Sequence, residues 1–354
     1  MIRTLALLLA MRLVPSDTAV PNRQPQLAAS DDAVALVFGS GRIIWFSRSG
    51  DNGRNFSNPV KIAELPLVAL GRHRGPRVVF SGKTIVVSAV GGSTAQVGEH
   101  AHGLPSDGDL VSWRSQDGGA TWSKAIVIND SPGAAREGLH AMAVDAAGGL
   151  AAVWLDLRTN GTHLYGAFSH DAGATWSKNV LIYESPDGTI CQCCDPSIAA
   201  VAPGEFAVMW RNSLGGMRDM YLLRLRDGKP AAQPVKLGAG AWKLNACPMD
   251  GGGIAVEKGR LVTAWRRDAS VYMAEPGQPE RAIGIGKDVA LAVGKKGPYV
   301  AWVNSTAVEV HMPGASRTEK LSEKGAFPAL TALAGGSVLA AWEEDGAIVT
   351  RRLN

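Results

Sequence analysis

Five short apolar runs ending in tryptophan recur along the chain: LAAVWLD around Trp154, FAVMWRN around Trp210, LVTAWRRD around Trp265, YVAWVN around Trp302 and VLAAWEED around Trp342. Each follows another apolar run across one glycine-containing turn. Each is followed in turn by a further short strand, such as HLYGAFS, MYLLRL or AIVTRRL. A fixed self-similar period constrains a fold more than any single motif, because each unit is one supersecondary element that must bury its faces on copies of itself. The units begin near Gln26, Pro76, His140, Pro196, Gly251, Asp288 and Pro328, which makes seven repeats. The runs are short, rich in Val, Ala, Ile and Trp, and bounded by Gly, Asp, Asn or Pro. They read as strands, and no helical period competes.

A radial array of four-stranded antiparallel sheets satisfies this pattern, since each sheet is covered by its neighbours and leaves only short edges. The expectation is an all-β, seven-bladed β-propeller over residues 21–354. Six blades is the alternative if one unit is mis-parsed. The last unit has room for three strands only, so residues before Gln26 are expected to supply the fourth and close the ring. Residues 1–20 carry Arg3, an apolar stretch from Thr4 to Met11, and then Arg12. That stretch is about the length of a signal-peptide core and too short to span a bilayer, so it reads either as an export signal or as the ring-closing strand. The first reading places the protein outside the cytoplasm, extracellular or periplasmic. No other stretch approaches membrane-spanning length. The net charge of +4 comes without a run of five Lys or Arg, so no nucleic-acid groove is signalled.

A second repeat lies inside the first. SGDNGRNF (Ser49, Asp51, Gly53, Phe56), SQDGGATW (Ser115, Asp117, Gly119, Trp122) and SHDAGATW (Ser169, Asp171, Gly173, Trp176) follow S-x-D-x-G-x-T-W, with variation in the first copy. The chemistry is that of a turn. The Asp accepts from backbone N–H groups, the Gly permits positive φ, and the aromatic residue folds back on the blade edge. These octapeptides resemble the Asp-box, or BNR repeat, of the sialidase-like β-propeller superfamily, and the blade pattern extends the resemblance over nearly the whole chain. The resemblance implies the fold, a carbohydrate ligand and a structural role for the boxes. That family's arginine triad and Tyr–Glu nucleophile pair are not recognisable here: Tyr299 lies inside a strand, Tyr221 comes too early, and GPR at Gly75–Arg77 only loosely echoes the family's arginine motif. No catalytic residue is therefore carried over.

In a propeller the Asp-box turns occupy one face. Loops entering each first strand, and those linking second to third strands, occupy the other, where ligands approach. Onto that face the sequence puts GRHRGPR (Arg72, His73, Arg77), His140, CQCCDP (Cys191, Cys193, Cys194, Asp195), NACPMDG (Cys247, Asp250), Asp156 and Arg158, Arg211, Arg218 and Asp219, and Arg266 with Arg267. Glu99, His100 and His102 join them from a long loop. This concentrates function over blades two to five. Arg72, Arg77, Asp156, Arg158, Arg211, Arg218, Asp219 and Arg267 are candidates for holding an anionic sugar, since guanidinium groups fork onto carboxylates. Pairing of Arg158 with Asp156, Arg218 with Asp219 and Arg267 with Asp268 would explain the same arginines without a ligand. Asp195 and Asp250 are the candidate catalytic acids. The four cysteines read as disulfides, with Cys193 or Cys194 bonded to Cys247. Alternatively they form, with His73 and His140, a soft-ligand site for copper or zinc. Two functions remain open: an exported propeller that binds an anionic glycan, with or without hydrolysing it; or a non-catalytic binding or assembly propeller with a metal or disulfide site.

Overall fold

The computed structural model describes residues 10–97 and 103–354. Glu99, His100 and His102 lie outside the described residues. All regular structure among those described is β, arranged as seven antiparallel sheets. Their first strands are Asn22–Ala29, Arg77–Ser81, His140–Val144, Ser197–Ala202, Gly252–Glu257, Lys287–Gly294 and Ala326–Ala332. Each packs on the next, and the last packs on the first, so the ring closes as a seven-bladed propeller. We number the blades one to seven in that order. The outer strand of blade seven is Met11–Leu13, which pairs with Ala347–Leu353 and joins the two ends of the described chain.

The second strands carry the repeated tryptophans into the core. Trp154, Trp210, Trp265, Trp302 and Trp342 are all buried. Each large ring, set at the centre of a blade and flanked by Val and Ala, fills the space between neighbouring sheets and contributes roughly 2–3 kcal/mol through burial.

The three boxes follow the third strands of blades one to three. In each, the Ser hydroxyl donates to the Asp carboxylate at 2.7–2.8 Å and accepts the Gly N–H at 2.8–2.9 Å. Further backbone N–H groups donate to the same carboxylates, those of Asn55, Thr121 and Thr175. These donors hold Asp51 and Asp171 at about 2, below the usual carboxylate range. The box also locks one blade to the one before it. A Cβ on Gly119 would sit 2.0 Å from the Phe46 ring of blade one, and one on Gly53 would sit 2.8 Å from Leu339 of blade seven. Trp122 packs edge-on against Phe46, and Trp176 Nε1 donates to Ser112 of blade two. Glycine is required twice over, by positive φ and by the close approach.

Candidate functional site at the mouth of the axial channel

First strands from all seven blades line an axial cavity of about 210 Å³. Because strands alternate in direction, the starts of the first strands lie on the face opposite the S-x-D-x-G turns. At this end three aspartates from consecutive blades converge. Asp195 and Asp250 precede the first strands of blades four and five; Asp288 is the second residue of blade six. Asp288 is turned to the axis by a β-bulge between Lys287 and Ala290, with φ of 58°. Blades one and seven use the same device at Gln24 and Phe327, also at positive φ.

His73, from the loop entering blade two, sits among them. Its Nε2 lies 2.9 Å from Asp288 Oδ1 and its Nδ1 3.8 Å from Asp195 Oδ1. The Phe327 ring meets it edge-on at 5.2 Å. Burial alone would lower the His73 pKa, but Asp195, Asp288 and Asp250 together raise it to about 9, so the imidazole is a cation at neutral pH. Asp250 is fully buried, and neither carboxylate oxygen accepts a hydrogen bond among the described residues. Among the described residues it pairs with Arg266, at 3.6 Å. Burial first, and then the Asp288 charge, raise Asp250 to about 6. Glu343 of blade seven adds a fourth carboxyl, raised by burial and bonded by the N–H of Gln24. Donor atoms of His73, Asp250 and Asp288 lie within 4.8 Å of one another, a set that could hold a divalent cation.

Two arginines named from the sequence build this site from below. Arg77 donates to the carbonyls of His73, Gly75, Pro76 and His140 at 2.7–3.2 Å. Arg211 donates to the carbonyls of Asp250, Arg218 and Arg266 at 2.7–3.0 Å and lies over Trp242. Both are buried. Each therefore fixes a loop that carries part of the cluster. Arg72 reaches over the mouth to Met249 Sδ of blade five.

The other candidates sit toward the rim. Arg158 clasps Asp156 at 2.9 Å, also reaches Asp130 and Asn179, and stacks on Tyr165. Arg267 pairs with Glu280, not with Asp268, and stacks on Tyr272. Asp219 pairs with Lys236 and accepts the Trp242 N–H, leaving Arg218 Nε buried with no hydrogen-bond partner. Of the adjacent Arg–Asp pairings read from sequence, one forms.

The cysteines stand beside the cluster. Cys193 and Cys247 form a disulfide that staples blade four to blade five, while Cys191 and Cys194 are free thiols. Of the six-residue soft-ligand set the structure groups Cys191, Cys193 and Cys194, whose sulfurs lie within 4.8 Å of one another, with Cys193 tied up in the disulfide, and keeps both histidines apart from them. His73 faces carboxylates, and the His140 Nε2 is 2.9 Å from Ser88 Oγ. Burial, and then Arg77, push His140 down to about 3, which keeps it neutral. Asp288 and Glu343 were not found from sequence. The available signal was the equivalence of Asp288 to Asp195 and Asp250 at the entry to successive first strands.

No protein-family profile matches the sequence, and no curated protein matches it. Solved structures do resemble it. Hadza microbial sialidase Hz136 is 15% identical, over 94% of this chain and 66% of its own, with a TM-score of 0.53. A Penicillium chrysogenum α-L-arabinanase complexed with arabinobiose is 14% identical over 98% and 97%, at 0.57. A family PL25 ulvan lyase bound to -[GlcA(1-4)Rha3S]- is 11% identical over 93% of each chain, at 0.58. The likeness is one of fold. At these identities the propeller is shared, and the chemistry must be argued from this chain's own residues.

Proposed function

We propose that this propeller binds an acidic glycan at the axial mouth and hydrolyses it, with Asp250 as the general acid and Asp195 as its carboxylate partner. The observation that carries this reading is the Asp250 carboxyl: buried beside the axial cavity that His73 and Asp195 line, bonded by no donor among the described residues, and raised to about 6. A carboxylic acid that holds its proton up to about pH 6 is what glycoside cleavage needs for protonating a leaving oxygen. His73, held cationic, supplies positive charge near the sugar, and Arg72, on the same loop, and Arg266, paired with Asp250, are the neighbouring groups for a ligand carboxylate. Arg158, Asp156, Asp219 and Arg267 would contribute only to a long ligand reaching the rim. The three structural neighbours named above are, by description, carbohydrate-active, which supports the ligand class. The Cys193–Cys247 disulfide supports a location outside the cytoplasm.

The test is a panel of fluorogenic sialosides, uronides and arabinosides. Turnover of an acidic sugar by the wild type, lost in Asp250→Asn, is expected. No turnover and no binding of any panel member would contradict the proposal. Binding without turnover, equal in wild type and Asp250→Asn, would leave the alternative of a non-catalytic glycan-binding propeller.

A further inference from the structure

Cys191, Cys193 and Cys194 form a buried cluster beside the acidic site, and the glycan reading uses none of them. Cys193 is bonded to Cys247. The remaining pair, Cys191 and Cys194, has C-x-x-C spacing, and the two sulfurs lie 2.8 Å apart. That is closer than two thiols rest in van der Waals contact, and short only of the ~2.05 Å of an S–S bond. A cavity of about 280 Å³, lined by Cys191, Cys193, Cys247, Arg218 and Asn245, reaches Cys191 from the blade-four and blade-five loops, with Cys194 behind it.

We propose that Cys191 and Cys194 are a redox-active pair that exchanges with small-molecule disulfides through this cavity, closing and opening a second disulfide beside the permanent Cys193–Cys247 staple. The two thiols are chemically unequal, as exchange requires. The hydrogen bond from Cys194 lowers Cys191 to about 7, against the effect of burial, and Arg211 and Arg218 add to the lowering. Burial, and the bond to Cys191, hold Cys194 well above its usual value. Cys191 is thus the attacking thiolate and Cys194 the resolving thiol.

The step balances against a disulfide of the glutathione class. The Cys191 thiolate attacks one sulfur of R–S–S–R, forming Cys191–S–S–R and releasing RS⁻. Cys194 then loses its proton and attacks the Cys191 sulfur, expelling the second RS⁻. The protein gives up two electrons and two protons, and two RSH leave. An excess of RSH drives the reverse.

The pair is also wired to the acids. Asp195 follows Cys194 directly in the chain, and the Asp250 backbone N–H favours the Cys194 thiolate. The Arg211 carbonyl, on a residue that fixes the Asp250 loop, accepts the Cys191 N–H. Closing the bond therefore alters the attachment of two carboxyls at the mouth.

Disulfide mapping by alkylation and mass spectrometry tests this on the full chain, equilibrated in oxidised or reduced glutathione. In reduced glutathione, two alkylated thiols are expected, at Cys191 and Cys194, with Cys193–Cys247 intact. In oxidised glutathione, no free thiol and a Cys191–Cys194 bond are expected. The Cys191→Ser/Cys194→Ser double variant should retain Cys193–Cys247 in both buffers, which separates the pair's chemistry from a folding defect. Two thiols persisting in oxidised glutathione, a Cys191–Cys193 or Cys194–Cys247 bond, or prior opening of Cys193–Cys247 would overturn the proposal. So would stoichiometric copper or zinc held by the thiols of protein purified without chelator.

Discussion

The His73 imidazole and the Asp288 carboxylate meet at 2.9 Å across the axis, one from the loop entering blade two and the other from the first strand of blade six. The pair spans the mouth, so its ionisation is coupled to the closed ring. The folded-state pKa of His73, about 9, lies above its unfolded value near 6.5. Its contribution is therefore complete below pH 6.5 and is lost as pH rises through 9. Wild type should lose about 3 kcal/mol of stability over that interval from this group, and His73→Gln should flatten the curve there. Urea denaturation at pH 6.5, 8 and 9.5 measures it; parallel curves for both proteins would refute the assignment.

Gly119 stands at φ of 96° with the Phe46 ring against it. Gly119→Ala adds a strained backbone to a clash between blades, so a loss of roughly 3 kcal/mol or more is expected. Gly82, whose added Cβ meets nothing within 4 Å at φ of 58°, is the control. Gly82→Ala should cost only about 1 kcal/mol, for the positive φ alone. Equal melting temperatures for the two variants would remove the interblade role of the box.

Arg211 satisfies three carbonyls in a buried setting. Arg211→Met keeps bulk and leaves those oxygens without donors, which should cost about 3 kcal/mol or more. Its signature is local: hydrogen exchange should rise in the segments around Asp250, Arg218 and Arg266 before it rises elsewhere.

The Cys193–Cys247 bond closes a loop with a sequence separation of 54. Chain-entropy reasoning gives about 4 kcal/mol for a loop of that size. Cys247→Ser should lower the melting temperature accordingly in oxidising buffer, with the difference vanishing once wild type is fully reduced.

What the sequence made legible follows a rule. The tryptophan-bearing second strands, the S-x-D-x-G turns and the three-stranded last unit all depend on local pattern, and all three correspond to elements of the fold. Asp195 and Asp250 were also visible, because each follows a cysteine and opens a loop. Asp288 was hidden, since only a bulge turns it out of an apolar strand toward the axis. Glu343 looks like any charged strand end until blade seven is placed beside blade one. Arg267 has an aspartate next to it in sequence, but takes Glu280 from the turn before the outer strand, because the stack on Tyr272 fixes the direction of its side chain. Arg77 and Arg211 announced themselves as anion binders by residue type; their carbonyl partners come from loops of two blades, a pairing that only the closed ring supplies.

The central claim is that a carboxyl beside the channel mouth keeps its proton up to about pH 6 and delivers it to a bound sugar. The pH dependence of kcat/KM for an acidic glycoside tests it most directly. The account predicts a rate that falls as pH rises through about 6, and a loss of at least ~100-fold in Asp250→Asn. A profile flat from pH 5 to 8, or wild-type turnover by Asp250→Asn, would contradict it.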